Sequence, residues 1–218
     1  MRRVPGLQCC VKFVGIDMDT EYTKIRVFFS KTGRARYISH LNLMDTVCRA
    51  VRRAGLRVKY TSGFNPRIYL TFALPLPLGV DGVCETFDLY ADMADVSDFG
   101  RVGEMLRASL PESLGVIRVA APLRPHTDIV RAAYEIDGDT APLERFLGGD
   151  RAVVVRKSKK GDKEIDLKPC AGLSGGLLTL PAGNEFNVNP LLVTKAAGGG
   201  YDKITRVKIF CADGEIFE

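Results

Sequence analysis

The sequence predicts an α+β protein built from two tandem ferredoxin-like units, each a βαββαβ succession that forms an antiparallel sheet with its helices on one face. Three observations carry this expectation. Stretches of alternating apolar residues, the strand signature, are interleaved with stretches of helical period. The succession strand, helix, strand pair, helix, strand occurs once before residue 121 and again after residue 130. Between the two lies the proline-rich passage 121–126, a natural boundary. The repeat is one of element order, without sequence identity between the halves. The expected division is an N-terminal appendage at 1–23, a first ferredoxin-like domain at 24–123 and a second at 124–218.

Taken in order, residues 8–16 offer a short extra strand, and 24–29, rich in β-branched and aromatic residues, form the first solid one. A helix is expected over 41–55. Leu41, Met44, Val47, Cys48 and Val51 share one face, Ser39 supplies an N-cap oxygen, and Gly55 can close the helix in a left-handed conformation. Residues 56–60 and 68–74 read as strands around a Ser-Gly-Phe-Asn-Pro loop, until Pro75 and Pro77 break the second. A strand at 84–90, a helix at 96–110 and a strand at 114–120 complete the first unit. The second unit reads as a strand at 131–136, a helix at 141–147 and a hairpin of 152–156 with 164–167. One more strand at 177–180, a helix at 189–197 with Pro190 in its first turn, and a last strand at 204–211 follow. The glycine runs 172–176 and 198–200 read as flexible loops.

A chain of 218 residues, 46% of them hydrophobic, has enough apolar side chain for a sizeable core. No apolar run approaches the roughly 18 residues that would span a bilayer. The apolar stretch after Met1 is broken by Gln8 and Lys12 and lacks a small-residue cleavage site, so a cytoplasmic setting is expected. The six cysteines then read as free thiols, since none has metal-ligand spacing, and neither metal nor cofactor is expected. The motifs that cradle dinucleotides or triphosphates are also absent.

Charge is the strongest signal. From Lys24 to Arg67 there are eleven Lys or Arg and one acid, Asp45, so this segment carries +10 in a chain whose net charge is +5. Such asymmetry points to a basic face turned toward a polyanion, because Lys and Arg gain affinity for phosphates by releasing counterions. The expected phosphate-positioning residues are Lys31, Arg34, Arg36, His40, Arg49, Arg52 and Arg53. Ser62, Phe64 and Asn65 are placed in the next loop to contact bases or ribose. Phe64 reads equally well as a buried loop anchor. The run from Arg156 to Lys163 is a second basic tip.

Several strings within 28–33, 38–44, 49–55 and 60–66, continued by Pro75-Leu76-Pro77-Leu78-Gly79-Val80 and Glu85, resemble the bacterial radical-SAM-linked protein family. That family is an uncharacterised domain found beside, or fused behind, a B12-binding-type radical SAM protein. The resemblance covers residues 25–123 well and the second half more loosely. It departs at Asn42, Asp45 and Arg67, where the family usually shows Asp, Arg and His. It implies a radical SAM enzyme as partner, with RNA or a translation component as the object of its chemistry. This chain has no Cys-x-x-x-Cys-x-x-Cys of its own, so the cluster would reside in the other protein. The expected function is a non-catalytic accessory or substrate-recognition protein that binds RNA through the basic face. One alternative is a metal-independent endoribonuclease with His40 as general base, similar at fold level to the RNA-processing proteins of CRISPR systems. Another is a scaffold that binds only protein.

Overall fold

The computed structural model describes residues 21–157, 161–184 and 186–218. The expected strand at 8–16 and the bulk of the expected appendage lie outside the described residues.

Strand β1 (Tyr22–Lys31) is followed by a single 3-10 turn at Gly33–Tyr37 and helix α1 (His40–Arg53). Then come β2 (Leu70–Phe72), β3 (Asp81–Asp92), α2 (Phe99–Ser109) and β4 (Leu114–Ala120). The second half comprises β5 (Ile129–Gly138), α3 (Ala141–Gly148), β6 (Val153–Arg156), β7 (Lys163–Asp166), β8 (Gly172–Ser174), β9 (Leu177–Pro181), α4 (Pro190–Ala197) and β10 (Tyr201–Cys211). Eight strands make one mostly antiparallel sheet in the order β4-β1-β3-β10-β5-β9-β8, with β2 also on β3, while β6 and β7 form a separate two-stranded sheet. Among the described residues no helix is long and apolar enough to cross a membrane.

The halves therefore share a sheet instead of forming two separate ones. β1 pairs along the length of β3, so β2 and β10 must share the other edge of β3. β2 takes the Phe87–Leu89 end, and β10 runs parallel to the start, with Thr205 opposite Asp81 and Arg206 opposite Gly82. β3 extends beyond the expected 84–90 for this reason: its first residues hold the junction.

Other differences have local causes. Residues 56–60 form no regular strand but isolated bridges, Val58 to Ala91 and Tyr60 to Ile68, because the segment is shared between two neighbours, β3 and residues 68–69. α2 begins at Phe99, not 96, because Asp98 caps it by accepting a hydrogen bond from Arg101 N at 3.2 Å. The glycine run 172–176 is not a flexible loop. It supplies β8, and Gly175 and Gly176 take positive φ of 56° and 78°, the conformation a two-residue hairpin turn demands. The expected hairpin of 152–156 with 164–167 forms as β6–β7 but stands in its own sheet, and β8–β9 joins the large sheet instead.

Two apolar clusters form. One joins Ile25, Val27 and Phe29 of β1 to Val47 and Val51 of α1 and Leu106 of α2. The other gathers β5, β9, β10, α3, α4 and the β6–β7 hairpin, and draws in Leu74, Leu76 and Val80 from the earlier part of the chain.

The strand face away from α1 carries a second kind of core. Arg26, between Ile25 and Val27, turns the other way and donates to Asp88 from Nε (2.8 Å) and Nη2 (3.0 Å), with its guanidinium over the Phe217 ring. Lys24 Nζ and His126 Nε2 each lie 3.0 Å from the same carboxylate. Burial alone would raise Asp88, but hydrogen bonding with His126, Arg26 and Lys24 holds its carboxyl far below the usual range. Its contribution to stability is complete above the unfolded-chain value of about 4 and is lost as pH falls from there toward the folded value. Asp88→Asn is accordingly expected to melt lower than the parent at pH 7, with the gap shrinking as pH drops from about 4 to 2.5 in thermal scans. A gap independent of pH would contradict this account.

Candidate nucleic-acid interface

Helix α1 starts as its sequence dictates. Ser39 Oγ accepts from Asn42 N at 3.2 Å, and Gly55 follows the last turn with φ of 71°. Its buried residues are Leu43, Val47, Ala50 and Val51. The inward face is therefore rotated from the expected one, and Leu41 stands 68% exposed. Arg49, Arg52 and Arg53 consequently project from the outer side. Arg49 Nε donates to Asp45 O (3.1 Å) and Arg53 Nη2 to Ser109 O (2.7 Å). Among the described residues none of the three is paired with a carboxylate.

The loop after α1 is pinched at its base, where Thr61 N donates to Arg67 O (2.7 Å) and Arg67 N to Thr61 Oγ1 (3.0 Å). Ser62, Gly63, Phe64, Asn65 and Pro66 all lie exposed at its tip. Phe64 is fully exposed, so of its two readings the buried anchor is excluded. Tyr37, Tyr60 and Tyr69 also present open ring surface. Loop and helix adjoin. The His40 ring meets the edge of Phe72 on β2 at 5.2 Å, and both Arg52 and Arg67 act electrostatically on Cys48, opposing the burial that pushes its thiol up.

The loop before α1 divides its cations. Arg34 is exposed and, among the described residues, has no carboxylate partner. Lys31, 1% exposed, does not reach the open surface: its Nζ lies 3.5 Å from Arg36 O, with Glu85, Asp81 and Arg206 around it, and burial pushes its ammonium down. Arg36 is held by Asp81, donating from Nε (3.1 Å) and Nη2 (2.7 Å). Asp81 also faces Lys203 Nζ at 3.4 Å, and Glu85 pairs with Arg206. Lys31 and Arg36 therefore brace the β3–β10 junction. The partners that claim them, Asp81, Glu85, Lys203 and Arg206, escaped the charge count. Arg206 alone left a trace, as a cation two residues from buried Ile204 on an alternating strand.

His40 opens α1 half-buried, its basicity lowered first by burial and then by Lys31. A neutral imidazole results at pH 7, the form a general base requires. Among the described residues, however, no hydrogen bond or ion pair fixes its tautomer, and Phe72 is its only ring partner.

Apart from His40, half-buried at the start of α1, the expected site residues thus fall into three groups. Arg34, Arg49, Arg52 and Arg53 are open cations, and Arg67 joins them. Ser62, Phe64 and Asn65 form the projecting tip. Lys31 and Arg36 belong to the junction.

A family model described as an uncharacterized protein conserved in bacteria (DUF2344) matches residues 24–175, more than half of the 218. The chain belongs to the DUF2344 family. A search of curated proteins finds no match. The DUF2344 region contains α1, both of its flanking loops and the β6–β7 hairpin, whereas α4 and β10, with Arg206, follow it.

Proposed function

We propose that this DUF2344 protein is a non-catalytic, RNA-facing accessory component of a radical SAM enzyme, working in the cytoplasm. The observation that carries the RNA-facing part is the set of guanidinium groups on α1 and its neighbouring loops that have no carboxylate partner among the described residues, together with the fully exposed Phe64 ring. Arginines of this kind bind phosphates by counterion release, and exposed aromatic rings stack on unpaired bases. Single-stranded RNA suits both. The radical SAM partner rests on the sequence resemblance of residues 25–123. Each half is read as a ferredoxin-like unit, supported by the matching orders β4-β1-β3-β2 and β10-β5-β9-β8, with β6–β7 as an insertion in the second. Nothing in the setting of His40 favours the nuclease reading over this one.

The test is binding of a labelled single-stranded RNA of about 20 nucleotides by fluorescence anisotropy across a salt series. The five arginine–phosphate contacts of the α1 face contribute about −3.5 to the log K against log salt slope, at about −0.7 per contact for single strands. Absence of binding at low salt would overturn the RNA-facing reading. A radical SAM protein recovered with this chain after nuclease treatment, with no RNA present, would leave only a protein scaffold.

A further inference from the structure

A cavity of about 350 Å³ lies between the end of the β6–β7 hairpin, the segment entering α4 and Pro77. Its volume is near the lower end of the roughly 300–1,000 Å³ typical of small-molecule sites. Pro77 connects it to the first half. Val80 N donates to Pro77 O, and Gly79 N donates at 2.8 Å to Arg36 O, in the turn that carries Arg34 and Tyr37.

The hairpin gives the cavity its charge by a departure from the expected pattern. In its register Val154 faces Ile165, and Arg156 faces Lys163 two residues on, so all four share one side of the ribbon. Val154 and Ile165 are buried in the second core, while Val155, on the reverse side, is exposed. The core-directed side therefore ends in two cations directly opposite each other, an arrangement that costs stability without an anion between them. Lys157 joins Arg156 in the cavity wall. Among the described residues neither has a carboxylate partner, although Asp162 and Glu164 sit on the same hairpin.

The segment entering α4 supplies donors. Asn187 and Asn189 line the cavity. Asn189 Oδ1 already accepts from Leu191 N at 3.0 Å as the N-cap of α4, which leaves its side-chain NH2 as the free end. Ile165, Val188 and Leu192 form an apolar floor.

We propose that this cavity is a nucleotide-phosphate subsite. Arg156 and Lys157 neutralise the phosphate, the Asn189 amide donates to it, and the apolar floor receives the attached nucleoside. The inference rests on the RNA-facing reading for its macromolecular source, since a strand crossing α1 and the Arg34 turn would reach the cavity past Pro77. A free nucleotide carries the same chemistry.

The experiment titrates the chain with adenosine 5′-monophosphate, and separately with adenosine, following the Asn187 and Asn189 side-chain amides by NMR. Two variants accompany it: the exposed double substitution Arg156→Glu with Lys157→Glu, and Asn189→Asp, which keeps a capping oxygen but removes the donor. Lys195→Glu, at an exposed position near the end of α4, serves as a charge control. The expected result is a monophosphate-dependent shift of the Asn189 amide in the parent and a more than tenfold weakening of nucleotide binding in both variants. RNA affinity should fall with them, with the salt slope about 1 to 1.5 units shallower in the Arg156/Lys157 variant and unchanged in Lys195→Glu. An amide unmoved by the monophosphate, or moved equally by adenosine, overturns the subsite. Monophosphate binding by the Arg156/Lys157 variant at parental strength overturns it too, whereas loss of monophosphate binding with RNA binding unchanged upholds the subsite for a free nucleotide and leaves the α1 face standing. If the parent binds no RNA but the monophosphate shift is present, the RNA-facing reading fails and the subsite holds a free nucleotide.

Discussion

Replacing Glu85 with alanine is expected to destabilise the folded chain by roughly 3–5 kcal/mol, the cost of leaving a buried charge without its partner. Glu85 is 4% exposed and Arg206 1%. Arg206 Nε donates to Glu85 Oε1 at 2.8 Å, and Nη2 makes a second, shorter contact with Oε2. The guanidinium cannot shed its proton to escape the low dielectric. Its remaining acceptors, Leu74 O at 2.7 Å and Pro75 O at 3.4 Å, carry only partial charge. Lys31 would be exposed to the same imbalance, since Glu85 is the largest influence opposing the effect of its burial. The double variant Glu85→Leu with Arg206→Met removes both charges and is expected to be far closer to the parent than Glu85→Ala alone. Urea unfolding midpoints measure both. A Glu85→Ala loss below about 1 kcal/mol would mean that the pair is wet and the β3–β10 junction is held by something else.

The same junction explains which parts of the molecule were legible beforehand. β4 falls on the expected residues 114–120, and α1 was bracketed correctly by Ser39 and Gly55, because caps and local periodicity are written within a few residues. The rotation of α1 that exposes Leu41 was not, since which side of a helix is buried depends on the sheet it meets. Likewise β8 is three residues long and exists only because Gly175 and Gly176 return it onto β9. In the site, a count of cations cannot tell Arg52, open to solvent, from Arg36, whose carboxylate lies 45 residues further on. Lys31 carries the same charge as the open cations but is buried among Glu85 and Asp81 of β3 and Arg206 of β10. Turn chemistry, which is local, marks Ser62, Phe64 and Asn65 as a loop but leaves Phe64 open between burial and exposure, which only the loop's projection from the pinch at Thr61 and Arg67 decides.

Charge reversal of the outer α1 face, Arg49→Glu with Arg52→Glu and Arg53→Glu, is expected to reduce RNA affinity on the order of 100-fold at low salt. Three lost phosphate contacts make the salt slope about 2 units shallower, and the penalty should therefore shrink as salt rises. Stability is a separate matter. None of the three side chains is buried, so packing losses are small, but acids in the last turn of α1 oppose its dipole at about 0.3–1 kcal/mol each. The matching glutamine triple avoids that cost and should still lose the same share of the slope. Phe64→Ala provides the complementary case: stacking is worth about 1–3 kcal/mol per base, a loss of roughly 5- to 150-fold, without changing the slope. The two signatures separate a strand held by its backbone from one held by its bases. If the Arg49/Arg52/Arg53 reversal binds RNA at parental strength with an unaltered slope, the open guanidinium groups of α1 are solvent-facing charges only, and the RNA-facing reading falls with them.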